Sequence, residues 1–247
     1  MALAHGLPLP SAVDLEGWPG AQILAQVNQC FLIARLRSAE KAYKESVNAL
    51  VSRVRIRERI LMSFSMSAWI AEPLTWGRGP RILEAFLEPT CPYSARAFPK
   101  LFELVEKIGA DRISVKIRLQ SQPWHMFSGV VVRAILAAST TRYGKEAAKS
   151  VMGAVFDRRE EFEFEMHCMG PNMDTTPNQI LSRIEKASGV TLVEQFQITD
   201  LDREVKWHTK YARQNGIHST PTFMVDGLIN PNLNSGDDVE TWVKVLK

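Results

Sequence analysis

The residue type best suited to chemistry in this chain is a cysteine, Cys91, within Pro89-Thr-Cys-Pro-Tyr-Ser94. An apolar run over 82–88 (ILEAFLE) stops at Pro89, and a helical pattern starts near Ser94. A thiol at such a strand-to-helix junction meets unpaired backbone N–H groups and the positive end of the helix dipole. Both stabilise the thiolate, which is the nucleophilic form. Pro92 occupies a first-turn position where an N–H would be unpaired anyway. An exposed nucleophilic thiol is therefore expected, with Tyr93 shaping access to it. The competing reading is a buried inert cysteine, which is hard to arrange beside a turn-forming Pro-Tyr pair.

Other candidates carry less. Gln122-Pro-Trp-His125 follows a second strand, at the sheet end where α/β folds place ligands. There Trp124 could wall a substrate cleft and His125 could hydrogen-bond a thiolate or a carboxylate; the alternatives are a packed Trp and a surface His. His218, three residues before Pro221, could contact substrate. Cys168 lies in a loop-like His167-Cys-Met-Gly-Pro171 stretch, a distant candidate for a second thiol, and Cys30 reads as a packed apolar residue. Three cysteines without a CxxC and five scattered histidines give no metal-ligand spacing, so no metal site is expected.

The elements that must position these residues are set by periodicity. The run 82–88 reads as a buried central strand. A helix is expected from about Ser94 to Ile108, with Ala97, Leu101, Leu104, Val105 and Ile108 on one side and Gly109 at its exit. Residues 113–120 alternate, with Ile113, Val115, Ile117 and Leu119 on one face, as a second strand does. Strand, helix, strand makes a right-handed βαβ unit with parallel strands. Helical periodicity then runs from about 127 to 216. Within it Thr176-Pro-Asn-Gln179 supplies a capping box with proline at N1, and Gly189 the C-terminal exit. A helix near 199–214 presents Leu201, Val205, His208 and Ala212. Phe and Met alternate with acids over 161–166, suggesting an extended or edge segment. A short strand over 222–226 and a last helix over 237–246, capped by Ser235, complete the pattern.

In this order the motifs resemble the thioredoxin superfamily, and more closely its DsbA-like branch. The matching residues are Cys91-Pro-Tyr-Ser94 after the first strand, Pro99 within the following helix, and Ser219-Thr-Pro-Thr222 directly before the last strand. The long helical stretch between second strand and that loop suits the helical insert of the branch. The resemblance covers about 80–247 and implies an α/β, thioredoxin-like fold with a helical insert at about 127–216. It further implies Cys91 as nucleophile and Ser94 as a hydrogen-bond donor to its sulfur. Pro92 and Tyr93 border the thiol, and Thr220 with cis Pro221 clamps a substrate backbone. Dithiol members carry cysteine where Ser94 stands, and an alcohol cannot resolve a mixed disulfide. Three readings fit that departure: a monothiol oxidoreductase exchanging with protein or glutathione disulfides, a glutathione-dependent transferase or isomerase of the related kappa type, and a non-catalytic binding module. No bound cofactor is implied; glutathione enters as a co-substrate.

Residues 1–79 read as an N-terminal extension, divided from the rest by Glu72-Pro-Leu-Thr-Trp-Gly-Arg-Gly-Pro80. It contains one long basic helix over about 32–54, whose apolar positions recur at helical spacing and whose surface could serve self-association. The segment 22–78 fits either an integral arm or a dispensable insertion. Residues 22–80 carry nine basic and four acidic side chains, the remainder 21 basic and 23 acidic, so the net +3 is local. No nucleic-acid partner is expected. No apolar stretch approaches the ~20 residues of a transmembrane helix. The first residues lack a basic n-region followed by an uninterrupted apolar core, so with so few cysteines the expected location is cytoplasmic.

Overall fold

The computed structural model describes Tyr43 and residues 69–246. The expected basic helix over 32–54, and any self-association through it, lie outside the described residues except for Tyr43, which is helical and exposed. The chain divides after Ala68 into two units, and the sheet and its helices belong to the second, Trp69–Lys247.

Five strands form one sheet in the order β1-β3-β2-β4-β5. They are β1 (Thr75–Gly77), β2 (Arg81–Leu87), β3 (Ile113–Leu119), β4 (Thr222–Val225) and β5 (Leu228–Ile229). β2 and β3 run parallel with Leu83 opposite Val115 and Leu87 opposite Leu119; the other neighbours are antiparallel. The crossover between them is α1 (Pro92–Ile108), which retains Pro99 inside it and ends on Gly109. This is the βαβ unit that the periodicity predicts.

β2 is central because its side chains suit burial on both faces. Leu83, Ala85 and Leu87 enter the main core with Leu101 and Leu104 of α1, whereas Phe86 enters a smaller cluster with Ala212, Ile217 and Met224. Burying each leucine or phenylalanine fully contributes about 1.5–3 kcal/mol relative to leaving it exposed. Helices fill the interval before β4: α2 (Ser128–Ser139), α3 (Gly144–Asp157), α4 (Pro171–Asp174), α5 (Pro177–Ser188), α6 (Val193–Phe196) and α7 (Leu201–Gln214). α5 begins on the expected capping box, Thr176 Oγ1 accepting from Gln179 N–H and the Gln179 side chain accepting from Thr176 N–H, and ends on left-handed Gly189. α8 (Val239–Leu246) packs Trp242 against Phe223.

Three expectations need correction. The Pro- and Gly-rich stretch before Pro80 is not a boundary: Thr75–Gly77 pairs with β3, so residues 69–79 belong to the same unit as the sheet. Its glycines serve close backbone approach. Gly77 has φ +79°, and a Cβ at Gly79 would lie 1.9 Å from the Arg112 carbonyl carbon. Residues 161–166 form no strand; Arg159–Glu161 is a 3-10 turn and Phe162 is buried, while Arg159 pairs with Glu160 and Glu163. The last helix starts at Val239 and its amino end is held by Asp238, whose Oδ1 accepts Thr241 N–H at 2.7 Å; Ser235 instead offers its carbonyl to Lys100.

Candidate active site

Cys91 is the N-cap residue of α1, with extended φ/ψ of −78°/127°. Its backbone is fixed on both sides: the N–H donates to Glu88 C=O at 3.1 Å and the C=O accepts Ala95 N–H at 3.0 Å. The side chain is thereby aimed across the sheet end at the loop preceding β4. There the Cys91 thiol donates to the Thr220 carbonyl at 3.6 Å, and the Thr220–Pro221 peptide bond is cis. The chain thus brings together two segments that are 129 positions apart.

The expected exposure of this thiol does not hold. Cys91 is only 7% exposed, because the Thr220 loop covers the sulfur from above while α1 begins beneath it. Pro92 and Tyr93 are the exposed members of the turn, Tyr93 at 54% with the Arg96 guanidinium 4.7 Å over its ring. Ser94 is fully buried, and the bond found at its Oγ is acceptance of Glu88 N–H at 3.2 Å, not donation to the Cys91 sulfur. Its hydroxyl pins the end of β2 to the first turn of α1.

Sequence reasoning missed Glu88. This carboxylate has no exposure at all and is surrounded by donors. Oε2 accepts Thr90 N–H at 3.0 Å, Oε1 accepts the Thr90 hydroxyl at 2.8 Å and the Ser128 hydroxyl at 2.6 Å, and His125 Nδ1 lies 3.0 Å from Oε2. With Nδ1 protonated, His125 also donates to Thr90 Oγ1 at 2.7 Å. A buried carboxylate is tolerable only when so satisfied. The hydrogen bond to Glu88 raises the His125 pKa above 6.5, opposed by burial and by Arg159, and helped by Glu163. His125 is therefore neither a surface residue nor directed at the sulfur by this nitrogen: it is a strut of the loop that carries Cys91. The signal available was an acid directly after the central strand, three residues before the cysteine.

Trp124 is 57% exposed and edge-on to His125, and does not line the cleft beside the Thr220 loop. His218 and Thr220 line a cleft of about 150 Å³ with Gln122 and Arg213. Cys168 is free and exposed in a turn of the helical interval.

Residues 78–245 match the family model described as thioredoxin. Comparison with curated proteins gives no match. Among solved structures, a putative protein-disulfide isomerase from Pseudomonas syringae is 60% identical, with TM-score 0.69, the alignment covering 71% of this chain and 98% of that one. A thioredoxin-like oxidoreductase from Silicibacter pomeroyi DSS-3 is 18% identical with TM-score 0.50, over 72% and 95% of the two chains. A periplasmic thioredoxin-like protein from Salmonella enterica serovar Typhimurium is 17% identical with TM-score 0.52, over 73% and 90%. The two distant likenesses concern the fold alone, which is thioredoxin-like.

Proposed function

Because the chain belongs to the thioredoxin family, we propose that it is a thiol–disulfide oxidoreductase whose single working sulfur is that of Cys91. The observation that carries this reading is the placement of Cys91 at the α1 N-cap with its sulfur 3.6 Å from the Thr220 carbonyl. Cys91 thereby stands at the amino end of α1, where the first-turn N–H groups have no helical partner. The backbone of Thr220 offers an edge along which a substrate chain aligns its disulfide. Ionised Cys91 attacks one substrate sulfur, the new S–S bond forms as the old one breaks, and the departing thiolate takes up a proton. Ser94 has no sulfur, so the mixed disulfide waits for a thiol from outside, glutathione or a protein cysteine, which attacks and releases Cys91. A reducing compartment, the cytoplasm in our reading, supplies that thiol.

The burial of Cys91 favours a second reading, a binding module without turnover. One experiment separates the two. The folded protein is treated with a peptide activated as its 2-thiopyridyl disulfide, and the adduct is located by mass spectrometry in a Cys168→Ala background, which removes the exposed thiol. We expect the adduct on Cys91, persistent until glutathione is added, and none there in Cys91→Ser. Ser94→Cys, which restores a second sulfur, should release the peptide without added thiol. An adduct at Cys91 that forms only after denaturation would leave the binding module.

A further inference from the structure

The cleft beside the Thr220 loop is built from three segments: the exit of β3 (Gln120 to Pro123), the end of α7 (Thr209 and Arg213) and the approach to β4 (Ile217 to Thr220). Its lining contains the guanidinium of Arg213, the imidazole of His218 and the amide of Gln122, and not one acidic side chain. Arg213 and His218 are both exposed, and among the described residues no ion pair engages Arg213. The cleft also shares Thr220 with the nucleophile: the carbonyl that meets the Cys91 sulfur belongs to a residue of its wall. Because Thr220 both meets the Cys91 sulfur and lines this opening, the opening lies next to the position of any chain joined to that sulfur and paired with Thr220. About 150 Å³ suits one side chain.

We infer that this cleft selects a carboxylate next to the substrate half-cystine, with Arg213 as the residue that sets the preference. The inference rests on the oxidoreductase reading for the location of the substrate sulfur, and it deepens that reading by naming the substrate class. Arg213 presents a planar fork of donors that fits a carboxylate in two-point contact. With no acid in the lining to neutralise it, the guanidinium is available to a ligand. A peptide side chain and a carboxylate of glutathione share this chemistry, and the test tells them apart.

The test uses binding and needs no disulfide chemistry. Three S-methylated peptides that differ only in carrying Asp, Asn or Lys beside the modified cysteine are titrated calorimetrically into the full chain, alongside S-methylglutathione. The Asp peptide is expected to bind about tenfold more tightly than the Lys peptide, as a charge-assisted hydrogen bond allows. High salt should narrow the difference, and Arg213→Glu should reverse the order. Arg213→Gln, which keeps donors but no charge, should reduce the preference without reversing it. Equal affinities in the unmodified protein, or an order untouched by Arg213→Glu, would overturn the inference. Binding of S-methylglutathione with the same Arg213 dependence assigns the carboxylate to the tripeptide; discrimination among the peptides alone assigns it to protein substrates. An Asp preference that survives alongside a Cys91 unreactive to disulfides would sink the oxidoreductase reading and, with it, the half-cystine part of the inference, leaving Arg213 as the carboxylate contact of a binding module.

Discussion

At the carboxyl end of β2, Glu88 has no exposure and draws on His125, Thr90 and Ser128. Lower on the same strand, Glu84 meets Arg118 at 2.7 Å and the Tyr211 hydroxyl at 2.8 Å, with the Arg118 guanidinium within 5.0 Å of the centroids of Trp207 and Tyr211, whose rings stack on each other. Each neighbourhood also holds a histidine, and the two are driven in opposite directions. His125 faces the carboxylate and its pKa rises. His208 is buried near Arg118, accepts Leu119 N–H on Nδ1 at 3.1 Å, and is pushed down to about 3 by burial first and by the arginine second. The lesson is one of charge supply. An imidazole's charged form is favoured where an acid lacks another cation, and disfavoured where burial is deep and an arginine is already in place.

The strongest way to break this comparison is to remove each carboxylate in turn. Glu88→Gln replaces an acceptor ringed by donors with a group that is half donor, leaving buried N–H and O–H groups unmatched. We expect a loss of about 3 kcal/mol in urea unfolding. Glu84→Gln should cost about half as much, since Arg118 reaches partial solvent and keeps its aromatic partners. Equal losses would show that the two acids are structurally equivalent after all.

A smaller effect separates the histidines by pH. For His208 the folded pKa lies below the unfolded value near 6.5, so its contribution is complete above that pH and is lost as pH falls toward 3, with a slope of at most about 1.4 kcal/mol per pH unit. His208→Asn, which retains an acceptor for Leu119 N–H, should flatten the acid limb of the stability curve. An unchanged limb would contradict neutrality of the buried ring. For His125 the sign is opposite: its contribution is complete below about pH 6.5 and is lost as pH rises through its raised folded value. The smallest effect expected is that of His125→Asn. Its deficit, under about 1 kcal/mol because the ring is partly solvated, should shrink as pH climbs past neutrality. A deficit that grew with pH would reverse the assignment.

Legibility in the amino-acid sequence tracks the range of the interactions. β2, α1, β3 and the α5 capping box were legible because each is written within a few consecutive residues. The position of Cys91 at a helix start was legible for the same reason. Its burial was not, since the covering carbonyl comes from 129 positions away. Glu88 was illegible as a site residue because His125 and Ser128 lie 37 and 40 positions on, and nothing local distinguishes an acid that will find donors from one that ends a strand in water. The convergence of Thr220 on Cys91 came through family resemblance, not from periodicity. Gly77 and Gly79 misled because glycine marks both loose connections and the tightest backbone approaches.

The segment from Trp69 to Gly77 has a consequence for any attempt to excise the sheet-bearing unit. Ile70 and Ala71 donate their N–H groups to the buried Glu204 carboxylate, and Thr75–Gly77 occupies the outer side of β3. A fragment started at Pro80 would strip that side of its partner and leave Glu204 without two of its donors. The bare rim of β3 would then be free to recruit the same rim of another molecule. A fragment started at Trp69 keeps the rim closed, so solubility and amide-exchange protection in 113–119 should part company between the two.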